Sequence, residues 1–258
     1  MAIINTQLMT SNMHHLYSAF RTLMNPGYRK YIFIPLVANL ILFVILTAML
    51  VTLFSDVIDI ALNYIPSWLH FMAWMFWLVF GLALLILYGL SFTFITNLIA
   101  APFNGLLAEK IQRDHGIPMP EGETMAQIIM RTLWREVVKL SYFISYGLAV
   151  ALILFLISFI PFVNLIVPIL AFIWGSWCIA IQYLDYGADN CQQDFNDLRK
   201  LAKRPTFHTF SFGGTVTLLT MIPVVNIFVM PLAVAAGTQL WIKDIYPLML
   251  QDKQIKQA

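Results

Sequence analysis

The chain has 258 residues, of which 60% are hydrophobic and only 11% are charged, and its formal net charge is +2. A soluble domain usually carries about 25% charged residues, so this composition excludes an ordinary soluble protein and favours a single integral membrane domain. The small net charge gives no indication of a nucleic-acid partner.

Long runs contain no charged residue, among them 60–108, 140–184 and 205–242. Each is longer than the roughly 20 residues that a helix needs to cross the hydrocarbon core of a bilayer. These runs predict an all-α membrane protein in contact with the lipid bilayer.

The polar N-terminal segment places five apolar residues at helical spacing: Met9, Met13, Leu16, Phe20 and Leu23. This pattern predicts an amphipathic helix that lies on the membrane surface or docks on the helix bundle.

The positions of charged residues and of prolines divide the single domain 1–258 into two long spans, two hairpins and their connections. The predicted segments are an amphipathic cytoplasmic segment 1–30, a first span 31–54, a second span 68–108 that extends into the cytoplasm, charged helices 109–139, a hairpin 140–184, a cytoplasmic segment 185–204, a hairpin 206–242 and a tail 243–258.

Each hairpin contains an Ile-Pro-x-Val-Asn sequence closed by a second proline. Proline ends or kinks a helix because it lacks an N–H and its ring clashes with the preceding turn. We therefore expect turns inside the membrane at Pro161, Asn164 and Pro168 in the first hairpin, and at Pro223, Asn226 and Pro231 in the second.

Arm lengths distinguish crossing hairpins from re-entrant ones. The arms of the second hairpin, about 206–221 and 232–242, are too short for a full crossing, whereas those of the first, about 141–160 and 169–184, are closer to adequate. We expect re-entrant hairpins, whose polar turns need partners and so favour a homo-oligomer. Six ordinary spans are the alternative.

The distribution of basic residues predicts the orientation. All 15 Lys and Arg fall within 1–30, 109–139, 185–204 and 243–258, and the acidic loop 55–67 has none. The positive-inside rule places those four segments and both termini in the cytoplasm.

No spacing typical of metal ligands, no phosphate-binding glycine loop and no Ser/His/Asp set occurs in the chain. We therefore expect neither catalytic residues nor a metal or cofactor, and hence no enzyme.

The best candidate for ligand binding is the basic sequence before the first span, Gly27, Tyr28, Arg29 and Lys30. A Pro-Gly break before a helix leaves N–H groups free at its positive end, and an arginine can hold an oxyanion through two parallel hydrogen bonds. The pattern predicts a site for a small tetrahedral anion. The alternative is an ordinary membrane anchor.

A second candidate is a network of charged residues that could line an anion pathway. Glu109 and Arg113 are spaced for an ion pair within one helix, whereas Arg131 and Arg135 have like charges at the same spacing. An acid is therefore expected between the two arginines, either Glu136 or Glu109. The alternative is a solvated helix pair.

The run Asn97 to Lys110, NLIAAPFNGLLAEK, closely resembles the signature of the CysZ family of sulfate permeases of bacterial inner membranes. Further matches to this family are NPGYRK at 25–30, AIQYLDY at 180–186 followed by Asp189-Asn190, and the segment 220–231.

This resemblance implies two long spanning helices, two part-penetrating hairpins and uptake of sulfate for cysteine biosynthesis. The Gly-x-Arg element of the family's sulfate site corresponds to Gly27, Tyr28 and Arg29, with Lys30 where many relatives have arginine. We expect a channel-like pathway without ATP hydrolysis. The alternatives are proton-coupled transport and a membrane scaffold without transport.

Overall fold

The structure is a computed structural model that describes residues 17–64, 66–120 and 122–257. Within these ranges, the side chains of a smaller set are outside the description: 32, 39, 61, 68, 69, 87–99, 223–228, 256 and 257. The described residues form helices, turns and bends, with no strand among them.

Nine α-helices account for most of the described residues. They are α1 (17–24), α2 (Pro26–Asn63), α3 (Ala73–Asp114), α4 (Met125–Ser158), α5 (Val167–Asn190), α6 (Phe195–Ala202), α7 (Thr206–Thr220), α8 (Pro223–Leu240) and α9 (Tyr246–Gln257). Short 3₁₀ helices lie at Ser67–Met72 and Val163–Ile166, and a π-helical turn lies at Trp241–Ile245.

Among the described residues, three helical segments are long and apolar enough to cross a membrane: Pro26–Ile60, Met125–Ser158 and Val163–Asn190. They contain 35, 34 and 28 residues, whereas a crossing takes about 20 residues. These segments confirm the predicted class, an all-α integral membrane protein.

The described residues divide into two compact units, one formed by 33–100 and the other by 17–32 together with 101–257. The unit 33–100 contains most of α2 and the first two thirds of α3. Inside it, the ring of Phe54 stacks on that of Phe80 at 3.8 Å, and the edge of Trp77 meets Phe54 at 5.3 Å.

The other unit has its core around α5, which packs against α7 and α8. Glycines permit this close approach, because a Cβ atom added at Gly213 would lie only 1.9 Å from the carbonyl oxygen of Ser176. A Cβ atom at Gly237 would lie 3.0 Å from Tyr183. Membrane helices commonly use small residues in this way, because they gain little from burying apolar surface away from lipid.

The first hairpin is formed by α4 and α5, whose connection contains Pro161 and Asn164. The backbone N–H of Asn164 donates to the carbonyl of Ile160 at 3.0 Å, and Pro168 stands in the first turn of α5. Phe162 has a positive φ of 64° and is 87% exposed. Within a single chain this turn is therefore uncovered by protein.

The second hairpin differs from its prediction. Met221 and Ile222 alone connect α7 to α8, and Pro223 is the first residue of α8. Asn226 and Pro231 lie inside α8, so they are not turn residues. Proline is favoured at the first helical position because its missing N–H would have no partner there anyway, which explains why Pro223 starts the helix.

This correction lengthens one arm of the second hairpin. The arm predicted at 232–242 begins at Pro223, so α8 has 18 residues and α7 has 15. At a rise of 1.5 Å per residue these helices span about 27 Å and about 22 Å. The shorter arm, α7, lies below the roughly 30 Å thickness of the hydrocarbon core.

Only the end of the predicted N-terminal helix is described. Leu23 is buried as expected, whereas Phe20 is exposed and Ala19 takes the buried position on that face. Met9, Met13 and Leu16 lie outside the described residues.

Candidate functional site

Gly27, Tyr28, Arg29 and Lys30 form the first turn of α2. Arg29 and Lys30 are exposed, and within the described residues neither pairs with a carboxylate. The guanidinium of Arg29 is 3.4 Å from the carbonyl of Met24, and the ammonium of Lys30 lies 5.1 Å from the ring centre of Tyr31. This turn therefore presents two cations that are available to an anion.

The backbone around these cations is partly open. A Cβ atom at Gly27 would meet no atom within 4 Å, so a ligand can come close to the main chain there. The N–H of Tyr28 is not free, however, because it donates to the carbonyl of Asn25 at 3.1 Å. The expectation that this end of the helix offers free N–H groups is corrected at that position.

Tyr28 faces away from the two cations. Its side chain is 6% exposed, and its hydroxyl donates to the carboxylate of Asp114 at the end of α3. The other oxygen of Asp114 accepts from Lys110 at 2.7 Å. Two hydrogen bonds lower the pKa of Asp114 below its usual value, and the one from Lys110 has a larger effect than the one from Tyr28.

The second candidate set lies on α3, α4 and α5. The expected ion pair within α3 is present, since Arg113 Nη2 is 2.7 Å from Glu109 Oε1. This pair borders an opening of about 210 Å³ whose polar lining comes from two acids, two arginines and an amide. They are Glu109, Glu123, Arg113, Arg131 and Asn190.

The like-charged arginines of α4 are separated by partners from another helix. Arg131 Nη1 is 2.6 Å from Asp189, and Arg135 holds Asp185 through Nη2 at 2.8 Å and Nε at 3.0 Å. Lys139, one further turn along α4, lies 3.3 Å from Asp185. We call these five residues the α4–α5 ladder.

Glu136 takes a different role from the expected one. It accepts from Lys139 at 2.5 Å and from Gln182 at 3.3 Å, and it makes no ion pair with Arg131 or Arg135. The predicted acid between the arginines is thus corrected to Asp185 and Asp189. In two antiparallel helices, the residue numbers of facing pairs add up to a constant sum. Arg131 with Asp189 gives the same sum as Arg135 with Asp185.

The ladder is deeply buried at its centre. The side chains of Lys139 and Asp185 are each 1% exposed. Three cations, Arg131, Arg135 and Lys139, meet the carboxylates of Asp185, Asp189 and Glu136, and Glu123 adds a fourth carboxylate 3.2 Å from Arg131. Because acids outnumber bases here, these arginines are neutralised from within the protein, unlike Arg29 and Lys30.

Neutral polar groups extend the ladder toward α3. The hydroxyl of Tyr186 accepts from Asn104 and from Gln182, each at 3.3 Å. Asn190 donates to Gln112 at 2.9 Å and to the carbonyl of Gly105 at 3.0 Å. The portion of α3 that follows Pro102 is therefore joined to α5 by buried hydrogen bonds.

None of the described residues form a group of three or more His, Cys, Asp or Glu side chains that could hold a metal ion. The arrangement can bind or conduct a small anion, because it combines free cations at one helix end with charged residues at an opening.

Residues 15–231 match the protein family described as sulfate transporter CysZ/etoposide-induced protein 2.4. A sulfate transporter CysZ of Pseudomonas aeruginosa is 37% identical over 239 residues, which cover 91% of this chain and 95% of that protein. The proteins of the same name from Pseudomonas fluorescens Pf-5 and Pectobacterium atrosepticum are 39% and 35% identical, over 91% and 90% of this chain and 94% and 84% of theirs. The chain therefore belongs to the family of sulfate transporter CysZ and etoposide-induced protein 2.4.

Proposed function

We propose that this protein transports sulfate across the inner membrane of a bacterium. The observation that carries the proposal is the pair of exposed cations, Arg29 and Lys30, at the start of a helix of 38 residues. Relatives that carry the name sulfate transporter and align over about nine tenths of the chain support the same substrate.

Sulfate suits this turn for physical reasons. It is a dianion with four acceptor oxygens, so the planar guanidinium of Arg29 can donate two parallel hydrogen bonds to one edge. Lys30 adds a second positive charge, and the helix dipole favours an anion at the same end. The open space at Gly27 lets a tetrahedral ion approach the main chain.

A pathway for the ion can run along the opening beside Glu109, Arg113 and Arg131. The side chain of Arg113 is 62% exposed, so it can exchange Glu109 for a passing anion at small cost. Arg135 and Glu136 belong to the buried side of the same charged layer, and we assign to them the support of the pathway wall.

Sulfate uptake faces an electrical barrier. A dianion that enters against an inside-negative potential of 100 mV is opposed by about 4.6 kcal/mol, from about 2.3 kcal/mol per charge. We propose a channel-like pathway without ATP hydrolysis, driven by intracellular consumption of sulfate in cysteine biosynthesis. In this scheme the chain acts as a transporter and not as an enzyme, with cytoplasmic termini and as a homo-oligomer.

Proton-coupled transport is the second candidate. It is favoured by the charged layer on α4 and α5, where four carboxylates face three cations and could hold one proton. Sulfate flux into proteoliposomes separates the two mechanisms. A pH gradient that is acidic outside should leave channel flux unchanged, whereas strong stimulation would contradict the channel and support coupling.

The sulfate site is tested by titration of the purified protein. Arg29→Ala with Lys30→Ala should weaken sulfate binding at least tenfold, because both free cations are removed. As a matched control, Lys203→Ala with Lys253→Ala removes two positive charges from exposed residues that form no ion pair within the described part of the chain, and it should change affinity less than twofold. Unchanged affinity in the first variant would refute this site.

A membrane scaffold without transport is tested in the same preparation. Wild-type protein that neither binds sulfate nor carries a saturable flux would contradict the proposed function as a whole.

A further inference from the structure

We propose that Tyr28 is a positioning residue, whose hydroxyl bound to Asp114 fixes the first turn of α2 so that Arg29 and Lys30 face a sulfate ion. The inference rests on the proposed function, because it concerns how the two cations of that site are held. It assigns Tyr28 a role in sulfate recognition without direct contact with the ion.

Helix geometry links the three residues. Successive side chains on an α-helix are turned by about 100°, so a residue facing inward directs the next two residues away from the protein. Tyr28 is 6% exposed, and Arg29 and Lys30 are both exposed. The burial of one ring therefore sets the direction in which both cations point.

The two residues before Tyr28 add no buried contact to this turn. Pro26 and Gly27 are exposed, and Gly27 has no neighbour within 4 Å of a Cβ position. The chain bends at Asn25, which separates α1 from α2. Without the Tyr28 anchor, the turn would be free to rotate or fray, as helix ends do.

The acceptor is itself fixed. Asp114 is the last residue of α3, and Lys110 holds its Oδ1 atom at 2.7 Å one helical turn earlier. Tyr28 donates to Oδ2 of the same carboxylate. Hydrogen bonds to an ionised group are about twice as strong as those between neutral groups, so this contact can define the position of the first turn of α2 against the end of α3.

A direct role for the Tyr28 hydroxyl is the competing interpretation. A phenol hydroxyl can donate only one hydrogen bond, and the Tyr28 hydroxyl donates it to Asp114. The hydroxyl could bind sulfate as a donor only after leaving Asp114. The two roles therefore predict different couplings between Tyr28 and Asp114.

The experiment uses the full chain with Tyr28→Phe, Asp114→Ala and both substitutions together, because alanine leaves no side-chain acceptor for the Tyr28 hydroxyl. Tyr146→Phe is the matched control, because it removes an exposed hydroxyl to which no hydrogen bond is assigned within the described residues. Two measurements are made: the dependence of sulfate flux on sulfate concentration in proteoliposomes, and hydrogen exchange of the backbone amides of residues 24–31 without sulfate.

A positioning role has a defined kinetic result. Tyr28→Phe should raise the KM for sulfate at least about tenfold with little change in maximal flux, the loss expected for one hydrogen bond to a charged group. In the Asp114→Ala background the same change should alter KM less than twofold. An equal effect of Tyr28→Phe in both backgrounds would overturn positioning in favour of direct contact.

Hydrogen exchange tests the tether, which is the hydrogen bond from Tyr28 to Asp114, independently of sulfate. Exchange in residues 24–31 should be about fivefold faster than in the wild type in Tyr28→Phe and in Asp114→Ala, no faster in the double variant than in either single variant, and unchanged in Tyr146→Phe. Unchanged exchange in the first two would overturn the inference even if sulfate transport is confirmed. An absence of sulfate flux in the wild type would instead contradict the proposed function, and exchange would still report whether the tether exists.

Discussion

Lys139 and Asp185 show how charge is accommodated inside this protein. Each side chain is 1% exposed, and Lys139 has carboxylate oxygens of Glu136 and Asp185 within 2.5 Å and 3.3 Å. Asp185 is also gripped by both Nε and Nη2 of Arg135. A buried charge is tolerated when opposite charges and hydrogen bonds compensate it. Removing one partner leaves the other charge buried and uncompensated, which is strongly destabilising.

This pairing gives a prediction at the residue scale. Asp185→Asn should lower the free energy of unfolding by about 3–5 kcal/mol, because it leaves Arg135 and Lys139 buried without their shared carboxylate. Chemical or thermal unfolding in detergent measures the loss.

The matched control is Asp197→Asn, which breaks the exposed pair with Lys200 at 3.0 Å. It should cost less than about 1 kcal/mol, as exposed pairs do. Equal losses in the two variants would mean that the buried ladder does not contribute as its geometry indicates.

The helix elements depend on close backbone contact as much as on length. Gly213 on α7 lies directly against the backbone of Ser176 on α5, where an added Cβ would be 1.9 Å from the carbonyl oxygen. A flexible side chain could move away from an added Cβ atom, but the backbone of α5 cannot. This contact explains why α5 and α7 can form the centre of their unit.

Gly213→Ala should therefore separate α5 from α7 and destabilise the protein by several kcal/mol, beyond the roughly 1 kcal/mol that alanine gains over glycine in a helix. Gly175→Ala is the control, because a Cβ atom at Gly175 meets nothing within 4 Å. The comparison is made by thermal unfolding. A Gly213→Ala protein as stable as the Gly175→Ala protein would contradict the close contact.

The second hairpin gives another prediction at the scale of elements. Since α7 spans about 22 Å, its turn should stop short of the far membrane surface. Val225→Cys, in a Cys178→Ser and Cys191→Ser background, should resist thiol reagents added from the periplasmic side.

The control for that experiment is Ser67→Cys, in the loop that the charge distribution places outside the cell. It should be labelled readily, because Ser67 is exposed. Ready labelling at Val225→Cys would contradict the re-entrant hairpin, whereas no labelling at Ser67→Cys would contradict the orientation.

At the scale of the whole molecule, transport through a channel must respond to membrane potential. An inside-negative potential of 100 mV opposes sulfate by about 4.6 kcal/mol, so imposing it on proteoliposomes should suppress uptake, and reversing its sign should increase it. Uptake of labelled sulfate under potassium diffusion potentials provides the measurement. Uptake that is indifferent to potential would contradict an uncoupled dianion channel.

Two echoing sequences illustrate how far local patterns predict a fold. Both Ile160-Pro161 and Ile222-Pro223 mark a helix-to-helix connection, as the loss of a backbone donor at proline favours. The second proline of each echo behaves differently, since Pro168 lies in the first turn of α5 and Pro231 lies in the interior of α8. Proline at the start of a helix and proline inside a membrane helix are both allowed, so neighbours decide between them.

Among the charged residues, local spacing likewise predicted the pair within one helix but not the pairs between helices. Spacing within one helix correctly paired Glu109 with Arg113, because both lie on one face of α3. The α5 partners of Arg131 and Arg135, Asp189 and Asp185, lie at least 50 residues away, and a search for acids near the arginines in sequence chose Glu136. The matching intervals of 131 to 135 and 185 to 189 carried the signal that would have found them.

Hydropathy and proline chemistry are local properties, and they were enough to predict an all-α membrane protein with helix connections at Pro161 and Pro223, while the motif at 97–110 indicated the family. Which helix faces meet is not a local property. Only the folded chain turns Tyr28 inward to Asp114, leaves Arg29 and Lys30 without a carboxylate partner among the described residues, and brings Asp185 and Asp189 to the arginines of α4, because these pairings depend on the packing of helices that are distant in sequence.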